Sequence, residues 1–206
     1  MRVLEVGAGR GTITDCIVDC DTVLALEVDP DFVAILRERF AGRANVEVLA
    51  GSATDPAVTR RAAGRVDSAM SFNVLEHIAD DISVLRNVLE VLPPGGRFVC
   101  FVPAFPSIYG SMDSAVGHVR RYTRAEMRSK MTEAGFHVVA ARYMNFLGYF
   151  AWLVAGRVVR FEGVAGAGSR VGLYDRLVVP ISRFLERRWR PPFGQSLLVV
   201  GERPVS

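Results

Sequence analysis

The first fourteen residues, Met1 to Thr14, read MRVLEVGAGRGTIT. The apolar positions 3, 4 and 6 are typical of a short buried strand in a parallel sheet. Three glycines then interrupt the apolar run, directly before a segment that is compatible with a helix. A glycine turn lets the backbone approach a ligand closely, and the start of the next helix offers unpaired N–H groups to it. The stretch therefore predicts a strand, a tight turn and a helix from about Thr12 to Cys20, arranged around a nucleotide-like cofactor.

The glycine spacing and one acid distinguish between nucleotide cofactors. A dinucleotide fingerprint has the spacing Gly-x-Gly-x-x-Gly, whereas the third glycine comes one residue early here, at Gly11. Glu5 stands two residues before the first glycine, at the end of the strand. A carboxylate at this point repels a pyrophosphate and attracts a cation. S-adenosylmethionine (SAM) has an ammonium and a sulfonium and no phosphate, so the pattern favours SAM over a nicotinamide dinucleotide.

The run Glu-x-Gly-x-Gly-x-Gly resembles motif I of the class I SAM-dependent methyltransferases, and the resemblance extends over the whole class I core. It implies an α/β, Rossmann-like sheet with strand order 3-2-1-4-5-7-6, in which only the seventh strand is antiparallel. It also implies that SAM is bound by the residues of this turn, namely Glu5, Gly7, Ala8, Gly9 and Gly11.

A second apolar strand, Thr22 to Val28, carries Glu27 about twenty residues after the turn, where an acid usually binds ribose hydroxyls. Asp29 is a rival, but its position before Pro30 is typical of a helix cap. A third strand, 46–49, precedes the loop GSATD, where the family usually has Gly-Asp-Ala. The resemblance therefore implies adenine contacts from Ser52 and the amide of Ala53, with Asp55 as an alternative to Ser52.

The fourth predicted strand, 66–72, leads into NVLEHI, which resembles motif IV of small-molecule class I methyltransferases. The resemblance places Asn73 beside the transferred methyl group. In some ubiquinone-pathway relatives a metal is proposed near a Glu-x-x-Glu-His run, but Asn73 replaces the first glutamate, so we expect no metal. His77 has two interpretations that stay open, a role in the chemistry or a hydrogen bond that anchors the loop.

The loop after the fifth predicted strand, 97–102, carries the second specific match. Loops beyond the carboxyl ends of strands bind substrate in this architecture. Residues 109–122 fit the pattern YG…D…GH.RRY of a methyltransferase group often associated with genes for polysaccharides or lipid-linked glycans. We predict His118 as the general base for a hydroxyl acceptor, held by Asp113 or by a nearby backbone carbonyl. The alternative is a structural latch, or an anion site, built from His118, Arg120, Arg121 and Tyr122 next to a helix capped by Thr123.

The sixth and seventh predicted strands, 136–143 and 196–202, are separated by an insertion, 144–192. It contains an apolar segment at 145–159, a glycine-rich hinge at 163–168 and a second helical segment at 173–189. Nine arginines stand against three acids between Arg142 and Pro192. The apolar segment is shorter than the roughly 18 to 20 residues of a membrane span. Three interpretations remain: a cap over the acceptor site, a helix pair on a membrane surface, and a dimer interface.

Length and composition limit the kind of protein to which these motifs can belong. The 206 residues, 50% of them hydrophobic, predict one domain over 1–206, and a net charge of +3 is too small to indicate nucleic acid. Three cysteines without zinc spacing, and no signal peptide before the first strand, predict a reducing cytoplasm. Helices that normally precede the first strand of the family are missing here, so either the true start lies upstream or the insertion supplies the lid.

The sequence thus predicts a methyltransferase that moves a methyl group from SAM to an oxygen or nitrogen of a small-molecule, glycan or lipid-linked acceptor. We expect no nucleic-acid partner, and peripheral contact with the inner membrane surface if the insertion is a membrane element. The alternatives are a non-catalytic SAM-binding module and a nicotinamide-dependent oxidoreductase.

Overall fold

Seven strands form one sheet in the computed structural model, which describes residues 1–150, 152, 180–182, 184–186 and 188–205. The strand order is β3-β2-β1-β4-β5-β7-β6, and only β7 runs antiparallel to its neighbours, so the predicted fold class is confirmed. The strands are β1 Arg2–Val6, β2 Thr22–Glu27, β3 Val46–Ala50, β4 Ser68–Phe72, β5 Arg97–Pro103, β6 His137–Met144 and β7 Ser196–Glu202.

Helices connect the parallel strands and begin where the sequence places capping residues. They are α1 Pro30–Arg39, α2 Pro56–Thr59, α3 Asp81–Val91, α4 Ser111–Ala115 and α5 Arg124–Glu133. The Asp29 carboxylate accepts a hydrogen bond from the N–H of Asp31, and the Thr123 hydroxyl accepts one from the N–H of Glu126. Asp29 is therefore the cap of α1, as its position before Pro30 predicts.

The helix predicted from Thr12 to Cys20 is wrong. Only a single turn of 3-10 helix, Thr14–Ile17, forms there, and turns occupy the rest of the segment. The segment is rich in β-branched residues and aspartate, which have low helix propensity. The hydroxyl of Thr14 instead donates a hydrogen bond of 2.6 Å to the Glu5 carboxylate, which holds the segment against the end of β1.

The core lies on both faces of the central strands. Leu4, Leu24, Phe98 and Cys100 are each 0% exposed, as expected for strands covered by helices on both sides. Because β1, β2, β4 and β5 are parallel, their carboxyl ends meet at one edge of the sheet. The glycine turn, Asn73 and the loop after β5 all leave the sheet at that edge, which therefore holds the candidate site.

The predicted insertion lies between β6 and β7, and its described residues at 146–150, 180–182 and 184–186 are helical. The glycine-rich hinge at 163–168 and most of the two segments predicted at 145–159 and 173–189 lie outside the described residues. Within the part of the chain that the structure describes, no helix is long and apolar enough to cross a membrane.

Candidate active site

The glycine turn after β1 is pinned to β2 by backbone hydrogen bonds. The N–H groups of Gly7 and Ala8 both donate to the carbonyl of Leu26, over 2.8 and 3.1 Å. The N–H of Gly9 donates to the Glu27 carboxylate over 2.7 Å. The turn and the end of β2 therefore form one rigid rim at the carboxyl edge of the sheet.

The three glycines of the turn are required for different reasons. A Cβ at Gly7 would collide with Val74, and one at Gly11 would come within 2.7 Å of the Phe40 ring. Both positions are therefore closed by packing within the protein. A Cβ at Gly9 would meet nothing within 4 Å. Its φ of +54° favours glycine, and its open side is the space that a ligand would fill.

Two buried acids face this turn, as the resemblance implies. Glu27 accepts hydrogen bonds from the N–H groups of Gly9, Val28 and Asp29, while Glu5 is 3% exposed. Burial raises the pKa of Glu5 to about 7, with the charge of Glu27 adding to the effect and the hydrogen bond from Thr14 opposing it. Two acids beside an open glycine fit a cofactor with an ammonium and ribose hydroxyls, and SAM has both.

We expect the affinity for SAM to rise as the pH increases through about 7, because Glu5 then becomes an anion that attracts the ammonium. Below that pH the carboxyl is protonated and the attraction is lost. Glu5→Gln should flatten this dependence and weaken binding at pH 8 by about tenfold, a usual effect for a hydrogen bond to a charged group. Calorimetric titration of both proteins with SAM from pH 6 to 8 measures this. Parallel pH profiles for the two proteins would contradict it.

The loop predicted to contact adenine has its polar side chains bonded locally. The Ser52 hydroxyl lies 2.8 Å from the Thr54 hydroxyl, and the Ala53 carbonyl accepts a hydrogen bond from Asn87. Asp55, the alternative to Ser52, caps α2 by accepting from the N–H of Ala57. Asp55 therefore has a structural task of its own, and Ser52 and Ala53 remain the predicted adenine contacts.

The end of β4 is bent sharply at Asn73, which has a φ of +53°. Its N–H donates to the Phe101 carbonyl over 2.9 Å, so it stays tied to β5. A turn of 3-10 helix, Leu75–His77, follows, and Nδ1 of His77 lies 3.1 Å from the Gly117 carbonyl. His77 thus contacts the loop after β5, which is the geometry of the anchoring interpretation.

The GH.RRY motif divides into two parts in space. Arg120 bonds to the Asp81 carboxylate and the Ala79 carbonyl, and the hydroxyl of fully buried Tyr122 donates to Asp81. The buried side chain of Arg121 donates to the Asp113 carboxylate. These bonds commit both guanidinium groups to protein partners and have the geometry of a latch.

His118 shares the Asp113 carboxylate with Arg121 of the latch and lies between two carboxylates. Its Nδ1 is 2.8 Å from Asp113, and its Nε2 is 3.7 Å from the Oε1 atom of Glu76. Although burial acts in the opposite direction, hydrogen bonds from Arg121, His118 and the Gly110 N–H lower the pKa of Asp113. An ionised Asp113 can only accept, so Nδ1 of His118 carries a proton, and in the neutral imidazole the lone pair is on Nε2. Asp113 therefore fixes the orientation of the His118 ring.

Glu76 is the residue of this site that sequence reasoning missed. It is 0% exposed, and among the described residues neither carboxylate oxygen has a hydrogen-bond partner. Burial raises its pKa to about 7, against the effects of its own N–H and of Arg121. An acid directly after a buried strand was the available signal.

Glu76, His77 and His118 also offer three atoms that lie within 4.8 Å of one another and could surround a metal ion. Two ligands of a tetrahedral zinc, each at about 2.0–2.1 Å from it, are about 3.4 Å apart. The 3.7 Å between Glu76 and His118 is close to that separation. The expectation of no metal at these three residues therefore stays a prediction.

The chain is similar to known methyltransferases in sequence and in fold. A family model described as a methyltransferase domain matches residues 1–141. The ornithine lipid N-methyltransferase of Singulisphaera acidiphila is 38% identical over 105 residues, which cover 47% of this chain and 54% of that protein. A protein of Mycolicibacterium smegmatis named "Probable S-adenosylmethionine-dependent methyltransferase" is 30% identical over 139 residues, covering 66% of this chain and 52% of its own length.

Among solved structures, a SAM-dependent methyltransferase from Mesorhizobium loti superposes with a TM-score of 0.64. It is 18% identical, and the match covers 98% of this chain and 90% of that one. At this identity the match bears on the fold alone. The chain spans about half the length of the curated relatives that it matches.

Proposed function

This chain belongs to the class I SAM-dependent methyltransferases, and from that premise we propose that it transfers the SAM methyl group to a nitrogen or oxygen of a small, glycan or lipid-linked acceptor. The nicotinamide alternative is thereby set aside. The observation that carries a catalytic role, rather than SAM binding alone, is the placement of His118. His118 lies in the loop after β5, at the edge of the sheet that also holds the glycine turn. Its Nε2 atom lies 3.7 Å from the buried carboxylate of Glu76.

SAM supplies an electrophilic methyl group when bound. Gly9 leaves room for it, Glu27 is the proposed ligand of the ribose and Glu5 of the ammonium. Asn73, at the end of the central strand β4, is proposed to border the methyl group. His118 takes the proton that the acceptor loses, and Asp113 keeps the imidazole in the tautomer with a lone pair on Nε2. Alignment and exclusion of water supply the rest of the catalysis.

We propose that the acceptor is amphiphilic, on the evidence of the surface next to β6. Arg142, Arg188 and Arg190 line a cavity of about 540 Å³ together with Trp189 and one acid, Glu186. Trp189 also packs against Phe146, within a cluster of rings that includes Tyr149, Phe150 and Phe193. Positive charge beside an aromatic cluster suits an acceptor with an anionic group and an apolar body, and it suits contact with an anionic membrane surface.

Labelled SAM and a cell extract test the function. Purified protein should transfer the methyl label to material in the extract, and the label should partition into the organic phase if the acceptor is lipid-linked. A Gly9→Val protein in the same assay controls for transfer that does not depend on the SAM site. Equal labelling by both proteins, or none by either while SAM still binds, would support the non-catalytic alternative instead.

A further inference from the structure

The carboxylate of Glu76 is buried without compensation by the residues around it. It lies in the 3-10 turn after β4, and among the described residues both oxygens lack a hydrogen bond. Arg121, whose positive charge acts on Glu76, is already bound to Asp113 and to the Ala104 carbonyl. Buried carboxylates are normally paired with donors or cations. Glu76 therefore has the properties of a group whose partner is a ligand.

The side chains next to Glu76 offer further acceptors. Nδ1 of His118 donates to Asp113, which leaves a lone pair on the Nε2 atom that is 3.7 Å from Glu76. This distance is too long for a hydrogen bond between the two groups. Nδ1 of His77 lies 3.1 Å from the Gly117 carbonyl, which can only accept, so the lone pair of His77 is on its Nε2. The cluster combines one carboxylate with two imidazole rings, each of which has one lone pair when it is neutral.

A protonated primary amine matches this set of groups. An ammonium has three N–H donors in tetrahedral directions. The three ligand atoms of the cluster lie within 4.8 Å of one another, so one ammonium nitrogen can reach all of them at a hydrogen-bond distance of about 2.8–2.9 Å. His77 is exposed and the side chain of His118 is 13% exposed, so the cluster has an open side.

We propose that Glu76, His77 and His118 bind the primary amine of the methyl acceptor, so that this chain is an N-methyltransferase. This inference rests on the proposed function and narrows the acceptor to one chemical class. It agrees with the name of the relative from Singulisphaera acidiphila, an ornithine lipid N-methyltransferase.

The reaction on the amine balances with the groups present. The bound ammonium gives one proton to the Glu76–His118 pair and becomes a neutral amine with a free electron pair. The electron pair of the amine nitrogen attacks the methyl carbon and forms the carbon–nitrogen bond. The carbon–sulfur bond breaks, and its electrons remain on sulfur. The products are a methylammonium and S-adenosylhomocysteine, and partly exposed His118 returns the first proton to solvent.

Selective blocking of amines in the extract tests the acceptor class without any variant. Acetic anhydride in aqueous bicarbonate acetylates free amines and leaves most hydroxyls intact. We expect labelling by the wild-type protein to fall at least tenfold in the treated extract. Unchanged labelling would overturn the amine assignment and leave the proposed methyltransferase function standing, whereas the absence of labelling in both extracts would contradict the function itself.

A binding measurement tests the cluster directly. With S-adenosylhomocysteine bound, octylamine should bind the wild-type protein, and Glu76→Gln should weaken this by about tenfold to a hundredfold, the usual loss of a charged hydrogen bond. Octanol should bind both proteins equally. Glu90→Gln is the matched control, because Glu90 is an exposed acid paired with Arg60. Equal octylamine binding by the Glu76 variant, or a stoichiometric metal that the wild type holds and the variant lacks, would overturn the proposal.

Discussion

Gly9→Val is expected to lower the affinity for SAM by about 100-fold or more, because the new side chain would occupy the cofactor's space. A Cβ at Gly9 meets no protein atom within 4 Å, unlike one at Gly7 or Gly11. The side chain would therefore project into the rim that is formed with Glu27. Overpacking of this kind costs about 1–3 kcal/mol or more, and here this cost weakens the binding free energy of SAM. Calorimetric titration with SAM measures the loss.

A control variant, Gly64→Val, separates this steric effect on SAM from the effect of backbone strain. Gly64 has a φ of +71°, and a Cβ there also meets nothing within 4 Å, but it lies before β4 at the opposite edge of the sheet. Valine at either position adds about 1–2 kcal/mol of left-handed strain. Both variants should therefore lose similar thermal stability, while only Gly9→Val should lose SAM. Retained SAM affinity in a folded Gly9→Val protein would rule out the turn as the cofactor site.

His118→Gln is expected to lower turnover about 100-fold, the usual contribution of a general base, while SAM affinity stays unchanged. Glutamine can still donate a hydrogen bond to Asp113, but it has no basic nitrogen that could face Glu76. Because His118 lies in the loop after β5 and not in the glycine turn, the cofactor site should be intact. Single-turnover kinetics with labelled SAM measure the methyl-transfer step apart from binding.

Arg120→Gln is the control from the same loop. Arg120 contacts Asp81 and the Ala79 carbonyl, which makes it part of the latch. We expect this variant to melt at a lower temperature and to keep most of its turnover. If His118→Gln behaves in the same way, with a lower melting temperature and little change in turnover, then His118 belongs to the latch and is not the base.

Local sequence signals determined the elements of this fold to within a residue or two at most ends. β7 has the predicted bounds, and the caps Asp29 and Thr123 lie where their spacing to the next residues requires. These signals are reliable because their hydrogen bonds join residues two or three positions apart. The order of the seven strands came from the family resemblance, since periodicity alone indicates only an α/β protein. The helix predicted at 12–20 is absent because its residues have a low helix propensity, which the motif pattern does not take into account.

The different roles of residues within one motif depended on the tertiary structure. The sequence presents Gly7, Gly9 and Gly11 as equivalent, yet only the contacts of Val74 and Phe40 show that Gly9 alone faces open space. In the same way, an isolated motif does not show that Arg121 is occupied by Asp113. Such roles depend on which neighbours fill the space around a residue, and those neighbours come from distant parts of the chain.

The sequence by itself determined the fold class, the glycine turn and its acids, and the position of His118 in a loop beyond β5. Only the tertiary structure decided that the Glu76 carboxylate lies 3.7 Å from Nε2 of His118, forty-two positions further along the chain, with no hydrogen bond to either oxygen among the described residues. The physical reason is that the local sequence around an acid next to a buried strand is the same whether its side chain points to solvent or inward. Its burial, and therefore its raised pKa, is set when the β4 and β5 loops pack together.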